Sequence, residues 1–305
     1  MSTSHPLAGV YVAAVTPLQK DSSPDYDAIP ALMEFYAGRG CHGALLLGTT
    51  GEGPSFAANE RQQIWQQGTK VREKYPDFRL LAGTGTPSLE ETASYTKHAF
   101  DLGYDGVVVL PPYYFRTASD EGLFDWYDTV IQKSVPSDGH FLGYHIPKVS
   151  GVGLDINLLK RLKDTYPDKF AGLKDSTGSQ EHAELLSNTF GGDILALVGN
   201  DRLLSSGLEM GLSGCITALA NLVSPQLRKV WDDFQNGDNI KETQTAIDRH
   251  RDVLDKYPPA AAFLKAMLHR VYDLPRWGVR APLLPISNED EEAAVQEIAS
   301  LATPV

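Results

Sequence analysis

The chain is 305 residues long, 42% hydrophobic, and carries a formal net charge of −12. That size and apolar share suit a sizeable core, as one large α/β domain or two smaller ones. The acidic balance, with no dense lysine/arginine cluster, excludes a nucleic acid held by its phosphates, and no apolar run is long enough to span a membrane.

Apolar, strand-like runs alternate with amphipathic stretches along the chain. The runs are 9–17, 43–48, 79–85, 106–112, 140–147, 170–176, 194–200 and 214–221. The helical stretches that follow each in turn are 25–40, 59–75, 88–103, 119–134, 155–166, 179–190, 201–211 and 224–236. Ala44-Leu45-Leu46-Leu47 and Val107-Val108-Val109-Leu110 are apolar at every position, which suits parallel strands buried on both faces. In the helices, apolar residues recur at three-to-four spacing. Leu158, Leu159 and Leu162 share one face, with Lys160, Arg161 and Lys163 elsewhere. Gly40 and Gly103 end two of these stretches, where a left-handed C-cap favours glycine. Eight βα units in a row predict an α/β fold of the (β/α)8 TIM-barrel type over 1–238, in preference to a doubly wound sheet. Residues 239–305 read as a helical extension packed on that barrel, with helices at 240–257, 259–272 and 289–301.

The segment Met1–Pro6 lacks the basic-then-apolar pattern of a signal peptide. Cys41 and Cys215 have no CxxC partner and read as small buried thiols of a reducing cytoplasm. The histidines are scattered. His140 and His145 share one strand at odd spacing and are expected on opposite faces, so no metal site is expected.

In a barrel of this kind the chemistry sits at the C-terminal ends of the strands. The second run ends in Gly48-Thr49-Thr50-Gly51-Glu52-Gly53. Its glycines allow close backbone approach and its threonines supply donors, a cradle for a small carboxylate; alone, the segment also fits an ordinary turn. The fourth run ends in Pro112-Tyr113-Tyr114-Phe115-Arg116, the fifth in Tyr144-His145-Ile146-Pro147, and the sixth carries Lys174. A lysine at a buried strand end is costly as an ammonium, and its neutral amine is the nucleophile a Schiff-base enzyme needs. Taken alone, Lys174 fits a snorkelling side chain equally well, and Tyr144 fits a core aromatic. Together, a carboxylate cradle, a phenol able to move protons and an amine at neighbouring strand ends point to imine chemistry.

In Gly48-Thr49-Thr50-Gly51-Glu52, Tyr144-His145-Ile146-Pro147, Gly172-Leu173-Lys174-Asp175-Ser176 and the stretch from Gly214 to Asn221, the chain resembles the dihydrodipicolinate synthase/N-acetylneuraminate lyase family of class I pyruvate aldolases. The resemblance runs from Gly9 to about Leu301. It implies a barrel with a helical appendage, a homotetramer built as a dimer of dimers, and no cofactor. It makes Lys174 the Schiff-base lysine and Tyr144 the proton shuttle. Thr49 and Thr50 would hold the pyruvate carboxylate, with Gly48 beside them. Tyr114 would enter a neighbouring subunit's site and link to Tyr144 through the threonine hydroxyl, so that Thr50 and Tyr114 join the catalytic set. Ile216 would border the pyruvyl group, with Gly199 near the entrance.

Val149 stands where the synthase subgroup has an arginine for the aldehyde's carboxylate, and a valine makes no such contact. The run from Tyr144 to Val152 looks closer to the sugar-acid lyases. Arg202, however, stands in place of a second acid of that pattern beside Asp201, and Ala218 replaces a hydroxyl residue. Arg116 and Arg202 are candidates for charge at the distal pocket, and fit surface arginines equally. The expected activity is therefore cleavage or formation of a 2-keto-3-deoxy sugar acid, or a related 4-hydroxy-2-oxo acid, giving pyruvate and an aldehyde. The alternatives are condensation of pyruvate with aspartate semialdehyde, dehydration of a keto-deoxy sugar acid, and non-catalytic keto-acid binding.

Overall fold

The computed structural model describes residues 5–301; part of the N-terminal reading (1–4) and the end of the helical extension (302–305) lie outside them. The continuous apolar runs become eight strands: β1 (Gly9–Ala13), β2 (Gly43–Leu46), β3 (Arg79–Gly83), β4 (Gly106–Val109), β5 (His140–His145), β6 (Phe170–Asp175), β7 (Leu195–Val198) and β8 (Gly214–Thr217). All pair in parallel and in chain order, and β8 returns to β1 to close the barrel. Alternation along each strand divides the side chains between two cores. Tyr11, Leu45, Leu81, Val108, Leu142, Leu197 and Ile216 fill the barrel interior. Their neighbours Val12, Leu46, Ala82, Val109 and Leu173 join the larger core between the barrel and its helices.

The helices are α1 (Ala28–Gly38), α2 (Ala58–Gly68), α3 (Leu89–Asp101), α4 (Asp120–Ser134), α5 (Pro147–Ser150), α6 (Ile156–Thr165), α7 (Gln180–Phe190), α8 (Leu204–Glu209) and α9 (Ala220–Asn236). The C-terminal segment adds α10 (Lys241–Lys256), α11 (Ala260–Tyr272) and α12 (Asn288–Leu301). Ser88, Ser119, Asp155 and Ser179 each accept a backbone N–H of the helix they precede, so the expected starts of these helices are true N-caps. Gly40 and Gly103 lie in left-handed backbone just past α1 and α3.

Besides shifts of a few residues at other element ends, three features depart from the sequence reading. The stretch expected to be helical to residue 75 stops at Gly68 and tightens into a 3-10 turn over Thr69–Glu73. Residues 220 and 221, read as strand from their apolar company, open α9, which kinks at Val223 two residues before Pro225. Asn221 explains the early turn: its amide donates to Ala13 O at 2.9 Å and its carbonyl accepts from Val15 N at 3.2 Å, so the side chain takes over backbone groups at the end of β1. The short α5 was not anticipated; Pro147 starts it and Gly151, at φ 69°, ends it.

Candidate active site

The register between β5 and β6 slips by one residue between Phe141 and Leu142, and from there Tyr144 stands opposite Lys174. Both side chains point into the barrel at its C-terminal end, and each residue is only 3% exposed. Lys174 Nζ donates to Tyr144 Oη at 3.2 Å and lies 4.3 Å from the centroid of its ring. The same phenol oxygen is 3.2 Å from Thr49 Oγ1 on the loop after β2. Amine, phenol and threonine hydroxyl thus form one hydrogen-bonded series. Burial by itself would raise the Tyr144 phenol. The neighbouring Lys174 charge and hydrogen bonds with Thr49, Lys174 and Ser176 outweigh burial and hold the phenol below its ordinary value.

Ile216 belongs to the same interior cluster as Tyr144, and Gly48 is buried beside Thr49. Thr50 is half-buried on the same loop. Gly199 packs so closely on the strand end after Lys174 that a Cβ there would fall 1.9 Å from Ser176 Oγ. All of these lie at or just beyond the C-terminal ends of β2, β7 and β8. Tyr114 does not join them within the chain: it is 76% exposed and stands edge-to-face with the equally free Phe115.

The two acidic and basic candidates after β7 are engaged elsewhere. Asp201 is fully buried, and its Oδ2 accepts from Arg251 Nη1 of α10 at 2.9 Å. Burial raises its carboxyl, and Arg251 pulls in the opposite direction. Arg202 turns the same way: its guanidinium donates to Asp252 Oδ1 at 2.7 Å and to Asp255 Oδ2 at 3.3 Å, both on α10. The pair therefore ties the β7 loop to α10, and what looked like distal-pocket charge in the sequence is a helix-docking network. Arg116 lies against α5, since a Cβ on Gly151 would meet its Cδ at 2.8 Å, and the exposed Val149 is on that turn.

One cluster escaped the sequence reading. Beyond Tyr144 and Lys174 the strands turn His145 and Asp175 outward, where His182 of α7 meets them. His182 Nδ1 is 3.0 Å from Asp175 Oδ2, the two imidazoles stack at 4.7 Å, and one ligand-type atom from each of the three residues lies within 4.8 Å of the others. The spacing suits a metal, but the ring planes differ by only 13° and are stacked, so their lone pairs lie in two nearly parallel, offset planes and do not converge on one ion. His145 Nδ1 is also occupied, accepting Leu154 N–H at 2.8 Å. The cluster reads as a hydrogen-bonded brace behind the strand ends. Only the two-residue alternation hinted at it, because α7's approach is a tertiary event.

The model of the dihydrodipicolinate synthetase family matches residues 6–301. An uncharacterized DapA-like lyase of Chloroflexus aurantiacus is 34% identical over 302 residues, covering 97% of this chain and 98% of its own. The crystal structure of dihydrodipicolinate synthase from Agrobacterium tumefaciens superposes with a TM-score of 0.87 at 30% identity, covering 97% of this chain and 99% of that one. A sialic acid aldolase of Ruminococcus gnavus shares the fold at a TM-score of 0.88 and 20% identity, over 99% of this chain and 98% of that one. With its closed barrel and its helical C-terminal segment, the chain belongs to the dihydrodipicolinate synthetase family and is a carbon–carbon lyase of the pyruvate-dependent, Schiff-base-forming kind.

Proposed function

We propose that the protein cleaves, or in reverse forms, a 2-keto-3-deoxy sugar acid or a related 4-hydroxy-2-oxo acid, giving pyruvate and an aldehyde, with Lys174 as the imine-forming residue. The observation that carries this reading is the series Lys174 Nζ, Tyr144 Oη, Thr49 Oγ1, with 3.2 Å at each link. The Lys174 amine adds to the ketone carbon. Tyr144 gives a proton to the resulting hydroxyl, which leaves as water, and a protonated imine remains. The bond between the third and fourth carbons then breaks. Its electron pair flows into the imine as an enamine, and the proton of the fourth-carbon hydroxyl passes to the tyrosine oxygen. Protonation of the enamine and hydrolysis of the imine release pyruvate and free Lys174. In this reading Thr49 and Thr50, with Gly48, hold the carboxylate, while Ile216 and Gly199 border the pyruvyl group.

The sugar-acid preference rests on Val149, 61% exposed on the α5 turn, where a guanidinium for a second carboxylate is missing. A second reading, condensation of pyruvate with aspartate semialdehyde, is favoured by Arg116, which packs over Gly151 on that same turn and brings a cation back to it. Coupled assays of both reactions on one preparation separate the two. The expected result is a higher specificity constant for at least one keto-deoxy acid, and a higher one for aspartate semialdehyde than for every keto-deoxy acid reverses the ranking. Loss of a sugar-acid hydroxyl as water, without pyruvate release, would mark a dehydratase.

The exposed Tyr114–Phe115 pair supports a homotetramer, a dimer of dimers in which Tyr114 of one copy completes the Thr49–Tyr144 series of another. Light scattering should give about four times the chain mass, and a monomer fully active at assay concentration would remove that role.

A further inference from the structure

The loop carrying Thr49 and Thr50 is the most constrained segment near the site. Two of its non-glycine residues, Leu47 (φ 58°) and Glu52 (φ 57°), lie in left-handed backbone. The loop closes on itself through Glu52 N to Thr49 O and Gly53 N to Gly48 O, each 3.1 Å. It also has no room to relax: a Cβ on Gly53 would fall 2.0 Å from Leu47 O. Glu52 turns its side chain away from the site into the protein. Its Oε1 accepts from Lys265 Nζ of α11 at 2.5 Å, and its Oε2 accepts from the backbone N–H of Arg280 at 2.8 Å. Both charged side chains are fully buried. Lys265 donates again to Gly278 O at 2.7 Å, and the Arg280 side chain reaches Ser22 O, Ser55 O and Glu60.

A fully buried ion pair is a poor source of net stability, because the desolvation of both charges offsets their attraction. It does define a geometry, since each partner accepts no other orientation. Here it links residues 213 apart, one on the strained threonine loop and the other on a C-terminal helix. We infer that Glu52 and Lys265 are positioning residues for the carboxylate cradle, and that α11 and the segment 278–280 set the affinity of the site for the pyruvate carboxylate through them. The inference rests on the reading of Lys174 as the pyruvate-binding amine. Neither residue touches Lys174 or Tyr144; their effect passes through the backbone of residues 49–52. Binding of the keto acid is therefore the step they control, and proton transfer by Tyr144 is not.

The test is the isosteric neutral pair Glu52→Gln with Lys265→Met in the full chain, which removes both charges without leaving one unpaired. Folding is followed by thermal melting, and pyruvate by borohydride trapping over a concentration series, a readout independent of the aldehyde. The expected double variant melts cooperatively and reaches wild-type trapping at saturation within about threefold, while the half-saturating pyruvate concentration rises about tenfold or more. An unchanged half-saturation in the folded variant overturns the inference. So does a loss of amplitude alone, which signals only fewer folded molecules. An unfolded double variant also overturns it, because the pair would then be a stability element. Absence of trapping in the wild-type chain would bring down the pyruvate reading itself, and the inference with it.

Discussion

Tyr144→Phe separates the chemistry of the proposed mechanism from its architecture. The substitution keeps a ring that is 3% exposed and lies 4.3 Å below the Lys174 amine, and removes only the oxygen. Two hydrogen bonds of 3.2 Å disappear, one to Lys174 and one to Thr49, together with a lesser contact to Ser176. At about 0.5–1.5 kcal/mol each, stability falls by about 1–3 kcal/mol, or a few degrees in melting temperature for a chain of this size. The fold therefore survives. The rate does not, because positioned proton transfer contributes about a hundredfold to ten-thousandfold, equivalent to about 2.7–5.5 kcal/mol of barrier. Pyruvate release from a 2-keto-3-deoxy acid, followed by a coupled dehydrogenase, should drop at least about a hundredfold. Circular dichroism should stay native. The pH profile adds a second readout. Burial pushes the phenol up, but the Lys174 charge and its hydrogen bonds bring it below its ordinary value of 10.0, so the alkaline limb of the wild-type profile should begin below that pH and be missing in the variant. Turnover of the folded variant within about tenfold of wild type would refute a proton-shuttle role for this residue.

Lys174→Met should abolish borohydride trapping while preserving the fold, and wild-type peptide mapping should place the single pyruvate adduct at Lys174; an adduct elsewhere removes the assignment. Val149→Arg should raise the specificity constant for aspartate semialdehyde about ten- to a hundredfold, the worth of one charge-assisted carboxylate contact, and an unchanged constant would show that the position does not face the second substrate. Burial, opposed by Asp175 and reinforced by His182, holds the His145 imidazole down at about 4 from an ordinary 6.5. The folded protein thus binds fewer protons than the unfolded chain between those values, so the contribution of His145 is fully present above pH 6.5 and is lost as the pH falls toward about 4. His145→Gln should flatten the fall in melting temperature across that window, and an equally steep slope would refute the linkage.

Local signals in the sequence determined the barrel and singled out the candidate reacting groups. Fully apolar runs such as Val107–Val109 state that a strand is covered on both sides, and Ser88, Ser119, Asp155 and Ser179 mark helix starts because a cap is made by residues two or three apart. Lys174 and Tyr144 were legible as candidates because each lies one residue from the C-terminal end of its own strand, and strand ends in a parallel barrel converge. Relations between distant segments were not legible. Nothing within the segment 200–202 announces that Asp201 and Arg202 turn to Arg251, Asp252 and Asp255 and away from the mouth, since their partners lie some fifty residues on. The β5/β6 bulge that sets Tyr144 opposite Lys174, the stacking of His182 on His145, and the buried Glu52–Lys265 pair each depend on how separate elements dock. Periodicity records which face of an element is covered; only packing decides which charge meets which.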